Sequence, residues 1–382
     1  MKFKHVQIPE PSIAFCMPTD GNVQSDIWQQ LHNGLWKSIN PIAFEQNTQL
    51  GELKRVKGKP FLDNILPIYT GMQWSVEEHK LIDPYFKPTI IAASMHSFLE
   101  AAANFFNKYK DKHIGVHLSG GLDSSIIIAL LKTLNIPFSL VGLTSTRYEF
   151  RTERHIQQLL ASWAKAAILI DYENFLPLKD IEIVPPHQYP NLLCMNYSAN
   201  MAMAKAGRKL GIDVLLTGGG GDNVFAEPVP NNPLNCSWMP QSFETGWLND
   251  FTYSQFNIEV VPFYADAGIM NTIYNLRFGQ GDDNSKIWAR QFFKDILPHE
   301  LVEHTYCADF WGLDIDGLLN ALPIVKDLFE KAYLLTNNNY FSPQSINELL
   351  SQDLLNPQKH VYQAIESRIA IAAWLNALFE KD

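Results

Sequence analysis

Charge is scarce in this 382-residue chain, at 18% Asp, Glu, Lys and Arg, below the quarter usual for soluble proteins. What charge there is leans acidic: 30 Lys plus Arg against 40 Asp plus Glu, a formal net of -10. An acidic balance gives no long-range attraction to nucleic acid or to an anionic membrane, so neither is expected as a partner. No apolar run reaches the roughly 18 residues that a membrane helix needs. The opening Met1-Lys2-Phe3-Lys4-His5-Val6-Gln7 lacks an h-region and a small-residue cleavage site, which points to a cytoplasmic chain. Cysteine is equally sparse. Cys16, Cys194, Cys236 and Cys307 form no CxxC, which argues against zinc ribbons, iron–sulfur ligation and dithiol chemistry and leaves four reduced, buried thiols as the expectation. Hydrophobic residues, at 46%, are plentiful enough for a large core.

The pattern along the chain changes near residue 89. Before it, short β-like runs (Ser12–Phe15, Phe61–Tyr69) alternate with turn signals at Asp20-Gly21 and Lys57-Gly58-Lys59-Pro60. Residues 1–88 read as a reduced, β-rich N-terminal domain and residues 89–382 as a synthetase-sized domain. In the latter, Ile90–Lys108 is periodic as an amphipathic helix. Strands His113–Leu118, Phe138–Leu143, Ala166–Ile170 and Val214–Thr217 then alternate with helices Ser124–Leu134, Glu153–Trp163 and Ser198–Leu210. This βαβα rhythm predicts an α/β fold, a parallel sheet flanked by helices, with ligands at the carboxyl ends of its strands. The two ends of interest follow Leu118 and Thr217. Beyond Tyr253 the patterns are mostly helical and end in Val361–Phe379.

At the first of those ends stands His117-Leu118-Ser119-Gly120-Gly121-Leu122-Asp123-Ser124-Ser125. Two glycines admit a ligand close to the backbone, serine hydroxyls add donors, and free amides at a helix start complete an anion cradle. Asp123 in such a cradle would repel phosphate unless Mg²⁺ lay between them. The residue types therefore ask for a magnesium–polyphosphate complex. The loop is not a Walker A loop, because no Lys-Ser/Thr follows a GxxxxG. The second end reads Thr217-Gly218-Gly219-Gly220-Gly221-Asp222-Asn223-Val224-Phe225.

SGGLDSS resembles the pyrophosphate loop of the N-type ATP pyrophosphatases, and the second segment resembles the GxGxDE-x-F of the asparagine synthetase superfamily. The resemblance covers most of residues 90–310, including Val261-Pro262-Phe263-Tyr264-Ala265-Asp266, similar to a VPFLD segment with one insertion. It implies an adenine nucleotide alpha hydrolase-like fold and ATP and Mg²⁺ as cofactors. Asp123 and Asp222 would be metal ligands and catalytic residues. Leu118, Ser119, Gly120, Gly121, Ser124, Ser125, Val141 and Gly218 would cradle the nucleotide.

Three departures matter. Position 2 is Lys2, not a glutaminase cysteine, and the leading segment is short, so the amine is not expected from glutamine. Gly219 and Asn223 replace the acidic or tyrosine residue and the glutamate that flank the metal aspartate, and Glu259 stands one position from the family's VExR glutamate, where it is the candidate catalytic base. The family's lysine is missing, since the aligned stretch is His304-Thr305-Tyr306-Cys307-Ala308-Asp309-Phe310. Lys286, Arg290 and Lys294 are the nearest cations, each expected as a solvated helix-face charge. The GGGGDNVF variant is similar to that of lasso peptide cyclases. That likeness implies macrolactam closure of a peptide substrate, with a leader peptidase as a possible partner and Pro228–Trp247 as a peptide-binding loop. A small-molecule amide ligase of the asparagine or β-lactam synthetase type, a tRNA-modifying pyrophosphatase and a degenerate nucleotide-binding subunit are the alternatives.

Overall fold

The computed structural model describes residues 88–185, 192–226, 229, 252–278, 286–303, 310–336, 339–350 and 359–379, with strand segments at 14–16, 23–24, 66–68, 73–75 and 80–82. These divide into two compact units, one drawn from Tyr85–Phe175 and Ala199–Phe310 and the other from Met1–Pro84, Leu176–Ser198 and Trp311–Asp382.

In the second unit the N-terminal segment contributes β1 (Ala14–Cys16), β2 (Val23–Gln24) and β3 (Leu66–Ile68), an antiparallel sheet in the order β2-β1-β3. A hairpin pairs β4 (Gln73–Ser75) with β5 (Lys80–Ile82). The same unit holds the long helices Trp311–Thr336 and Lys359–Phe379, which pack together, with the Asn376 amide donating to the Leu328 carbonyl. Cys194 is a free buried thiol whose pKa burial pushes up to about 12, as suits an inert core residue.

The first unit carries the five-stranded sheet. Helix α1 (Met95–Asn107) starts later than its periodicity suggests, because Ser94 and Ser97 cap each other and stop it there. Then follow β6 (Ile114–His117), α2 (Leu122–Thr133), β7 (Phe138–Thr144), α3 (Arg151–Ala161), β8 (Ala166–Asp171), α4 (Tyr197–Lys209), β9 (Val214–Thr217), α5 (Gly221–Phe225) and β10 (Glu259–Pro262). The four strands expected from the sequence form as parallel neighbours, and β10 adds a fifth to the edge, in the order β10-β9-β6-β7-β8. The α/β parallel sheet predicted from the βαβα rhythm is therefore the observed one.

Both faces of this sheet are covered, which is why β6 and β9 are apolar almost throughout. On one face Val116, Leu140 and Leu216 join Phe98, Ile127, Leu130, Phe263 and Ile273 in a continuous core. On the other Val141, Leu215 and Val260 meet Met203, Ala204 and Ile212. Strand order then fixes where a ligand can enter. From β6 the chain proceeds through β7 to β8 on one side and through β9 to β10 on the other. The carboxyl ends of β6 and β9 therefore flank the topological switch point, the crevice in which open α/β sheets bind ligands.

Candidate active site

Each of those two strands ends in a glycine turn that feeds a helix, and the second residue of each helix is an aspartate: Asp123 in α2 and Asp222 in α5. In the first turn Gly120 has φ +84°, and a Cβ there would stand 2.8 Å from the Glu153 carbonyl oxygen, so only glycine fits. The α2 N-cap, Gly121, makes no side-chain cap, which leaves the helix start to offer its amides to an anion. The serine hydroxyls expected to supply further donors are engaged within the loop. Ser119 Oγ lies 2.8 Å from Ser124 Oγ and accepts from the Gly121 amide at 3.1 Å, while the Ser124 and Ser125 hydroxyls donate to the Gly121 carbonyl. They shape the cradle from behind.

The second turn closes on the first. A Cβ on Gly221 would sit 2.3 Å from Asp123 Cγ, so the carboxyl of Asp123 occupies the place a side chain would take. Gly218, whose carbonyl accepts from the Gly221 amide at 3.0 Å, abuts Asp123 and Ser124 as well. Gly219 differs. A Cβ there would stand 3.3 Å from Thr217 Oγ1 and 3.9 Å from Pro262 Cβ, a tight fit that asks only the Thr217 hydroxyl to give by a few tenths of an ångström.

Between the two aspartates stands Lys286. Its Nζ lies 2.7 Å from both carboxylate oxygens of Asp123 and 2.6 Å from Oδ1 of Asp222. The Lys286 side chain is 13% exposed, which overturns its expectation as a solvated helix-face charge. It is the residue just before α6 (Ile287–Phe292) and has φ +50°, a left-handed conformation uncommon outside glycine. Arg290, one turn further on, is buried too and donates to the Leu301 carbonyl, because the helix turns this face inward. Lys294 alone of the three cations is exposed as expected. The spacing Lys286-x-x-x-Arg290 was the available sequence signal, since charges four apart share a helix face.

Electrostatically the cluster is a cation seat. Burial pushes the Asp123 carboxyl above the usual carboxylate range, with the Asp222 charge acting in the same direction and Lys286 opposing both. Burial alone would depress the Lys286 ammonium, but the two carboxylates outweigh it and hold it above its ordinary value. The Tyr264 hydroxyl, itself raised by burial and by Asp123, donates to the Asp123 carbonyl at 2.8 Å and braces that residue through its backbone. Among the described residues no three His, Cys, Asp or Glu side chains gather for a metal. Two carboxylates suit Mg²⁺ well, because that ion takes one or two protein oxygens and completes its shell with phosphate and water.

Leu118 and Val141 are present at the cradle mainly as backbone, since both side chains are wholly buried and the Leu118 amide donates to the Val141 carbonyl at 2.8 Å. Glu259 is not brought to the cluster. It opens β10 opposite Val214, at the amino end of the parallel strands, about 10 Å of strand from the carboxyl edge. There it is half exposed and pairs with Lys112 at 2.5 Å. The stretch Pro228–Trp247, apart from Val229, and the stretch His304–Asp309 lie outside the described residues.

Residues 108–257, which include both glycine turns, match the family model for asparagine synthase. The chain is also 25% identical, over 338 residues, to a probable asparagine synthetase (glutamine-hydrolyzing) of Acanthamoeba polyphaga mimivirus. That match takes in 78% of this chain and 59% of the relative, so the chain spans little more than half of that protein's length. Lys286 lies beyond the segment that the family model matches. Both findings support an asparagine synthetase-like family for this chain.

Proposed function

We propose that this chain is an ATP-dependent, AMP-forming carbon–nitrogen ligase. The observation that carries the reading is the Lys286 ammonium held by Asp123 and Asp222 across two glycine turns, beside an uncapped helix start at the sheet's switch point. Such a site offers fixed positive charge and backbone amides to a polyphosphate, and paired carboxylates to its counterion. Magnesium held by Asp123 and Asp222 would neutralise phosphate charge and orient the leaving group.

The chain's own residues then divide the work. The α2 amides and Lys286 hold the β- and γ-phosphates, while the Gly120 and Gly121 backbone lets them approach. A substrate carboxylate oxygen attacks the α-phosphorus of ATP, the bond to the bridging oxygen breaks, and pyrophosphate leaves into the cradle. An amine attacks the resulting acyl-adenylate carbonyl, loses a proton and expels AMP, leaving an amide. Lys286 stabilises the charge that develops on pyrophosphate. With Glu259 at the other edge of the sheet, the attacking amine reaches the carbonyl by positioning more than by help from a dedicated carboxylate base.

The finer reading is macrolactam closure, in which a peptide's N-terminal amine attacks an Asp or Glu side chain of the same peptide. Glycine at position 219 supports it, since it leaves free the volume that the acidic residue or tyrosine of the resembled family would fill there. A peptide substrate and a leader peptidase partner belong to this reading. ATP–pyrophosphate exchange with Mg²⁺ tests both levels. Exchange driven only by peptides bearing an internal Asp or Glu is the expected result. Exchange driven by free aspartate or small N-acylated amino acids would make the chain a small-molecule amide ligase, and silence with every acid would contradict the ligase reading.

A further inference from the structure

Strand β6 ends at His117, which pairs with Val141; the Leu118 amide still donates to the Val141 carbonyl, but the register gives the Leu118 and Ser119 carbonyls no ladder partner. Their carbonyls are thus the first in the loop whose direction the sheet does not set. A carbonyl dipole turned toward a polyphosphate would repel it, so the cradle works only if those oxygens face away. One buried side chain holds them. Gln157, on α3 and 2% exposed, directs its amide Nε2 to the Leu118 carbonyl at 3.3 Å, the Ser119 carbonyl at 3.2 Å and the Leu143 carbonyl at 2.7 Å. One turn earlier on the same helix face, Glu153 backs onto Gly120 so closely that no Cβ fits between them.

We infer that Gln157 is a positioning residue of the phosphate loop, whose amide ties the Leu118 and Ser119 carbonyls to the end of β7 and so turns the loop's amides toward the anion. The inference rests on the ATP-dependent reading of the site. It concerns the phosphates alone. AMP lacks the β- and γ-phosphates that this loop would hold, so the loss of this amide separates polyphosphate binding from nucleoside monophosphate binding, whereas a purely structural role would weaken both together.

The test is calorimetric titration of the full chain, with Mg²⁺, by α,β-methylene-ATP and separately by AMP. Gln157→Met keeps the length of the side chain and removes its N–H groups. It is expected to weaken α,β-methylene-ATP by about tenfold while AMP changes by no more than about twofold. Gln157→Asn keeps the amide but draws it back by one methylene, and is expected between wild type and Gln157→Met; should the methionine variant not fold, the same contrast is read in the asparagine variant. Equal losses for both nucleotides, or no loss for either, would overturn the role of Gln157. A wild-type chain that bound neither nucleotide would instead overturn the ATP reading, and this inference with it.

Discussion

The two glycine turns are built alike and placed unlike. Each follows a strand, turns on glycine and sets an aspartate second in the next helix, yet Asp123 heads a 12-residue helix in the core and Asp222 stands on the exposed side of a 5-residue helix whose Val224 and Phe225 are buried. The Asp123 side chain is 17% exposed and that of Asp222 is 87% exposed, although one ammonium touches both. The first turn is therefore part of the fold's interior, held by Tyr264 and pressed on Gly221, while the second presents its carboxylate from outside. A substitution at Asp123 should disturb fold and chemistry together; one at Asp222 should reach chemistry alone.

The sharpest way to break that comparison is to neutralise each carboxylate in turn. Asp123→Asn and Asp222→Asn should each lower pyrophosphate exchange by about a thousandfold, as expected when a charge that orients the phosphates is lost. Thermal unfolding should shift only for Asp123→Asn. Equal shifts in both would erase the distinction between the turns.

Lys286→Met comes next. It leaves the buried Asp123 carboxylate without its cation, and the loss of one partner from a buried pair costs about 3 kcal/mol, read as a lower denaturant midpoint. Because Lys286 is raised above 10.5, its own titration should leave the contribution of the ammonium full below that pH and fade it only as pH rises through the higher folded value.

His117, the last residue before the first turn, makes a pH prediction of opposite sign. Burial lowers its pKa from 6.5 to about 4. Between those values the unfolded chain binds the proton and the folded chain does not, so wild type should lose stability against His117→Gln as pH falls from 6.5 to about 4. The loss is up to about 3 kcal/mol by linkage and absent above that window.

Within the second turn, Gly221→Ala should cost about a hundredfold in exchange, because its Cβ must displace the Asp123 carboxyl and small misplacements of reacting groups are this expensive. Gly219→Ala, which asks only the Thr217 hydroxyl to shift by a few tenths of an ångström and touches neither aspartate, should stay within about twofold. The smallest effect is assigned to Glu259→Gln. An exposed pair with Lys112 is worth no more than about 0.5 kcal/mol once solvent screening is allowed for, and exchange should be unchanged. A large loss of exchange would return Glu259 to the reaction.

What could be read from the sequence follows the same line between local and distant. The two turns, four of the five sheet strands and both aspartates were legible because strand, glycine and helix start are adjacent in the chain and each carries its own signature. Lys286 was not, since it meets Asp123 across 163 residues and no motif marks a lysine in a left-handed conformation. Its partner signal, the buried face shared with Arg290, looks in sequence like any surface helix with charges four apart. Glu259 failed for another reason. Its distance from a motif said nothing about strand direction, and the parallel pairing of β10 with β9 sends it to the far edge.

The central claim is that Asp123, Asp222 and Lys286 form one seat for a metal–polyphosphate complex. It is tested most directly by titrating α,β-methylene-ATP into wild type and Asp123→Asn, each with and without Mg²⁺. Wild type should bind far more tightly with the ion, and the variant should bind weakly and indifferently to it. Equal binding by the two chains, with the same dependence on Mg²⁺, would contradict the account.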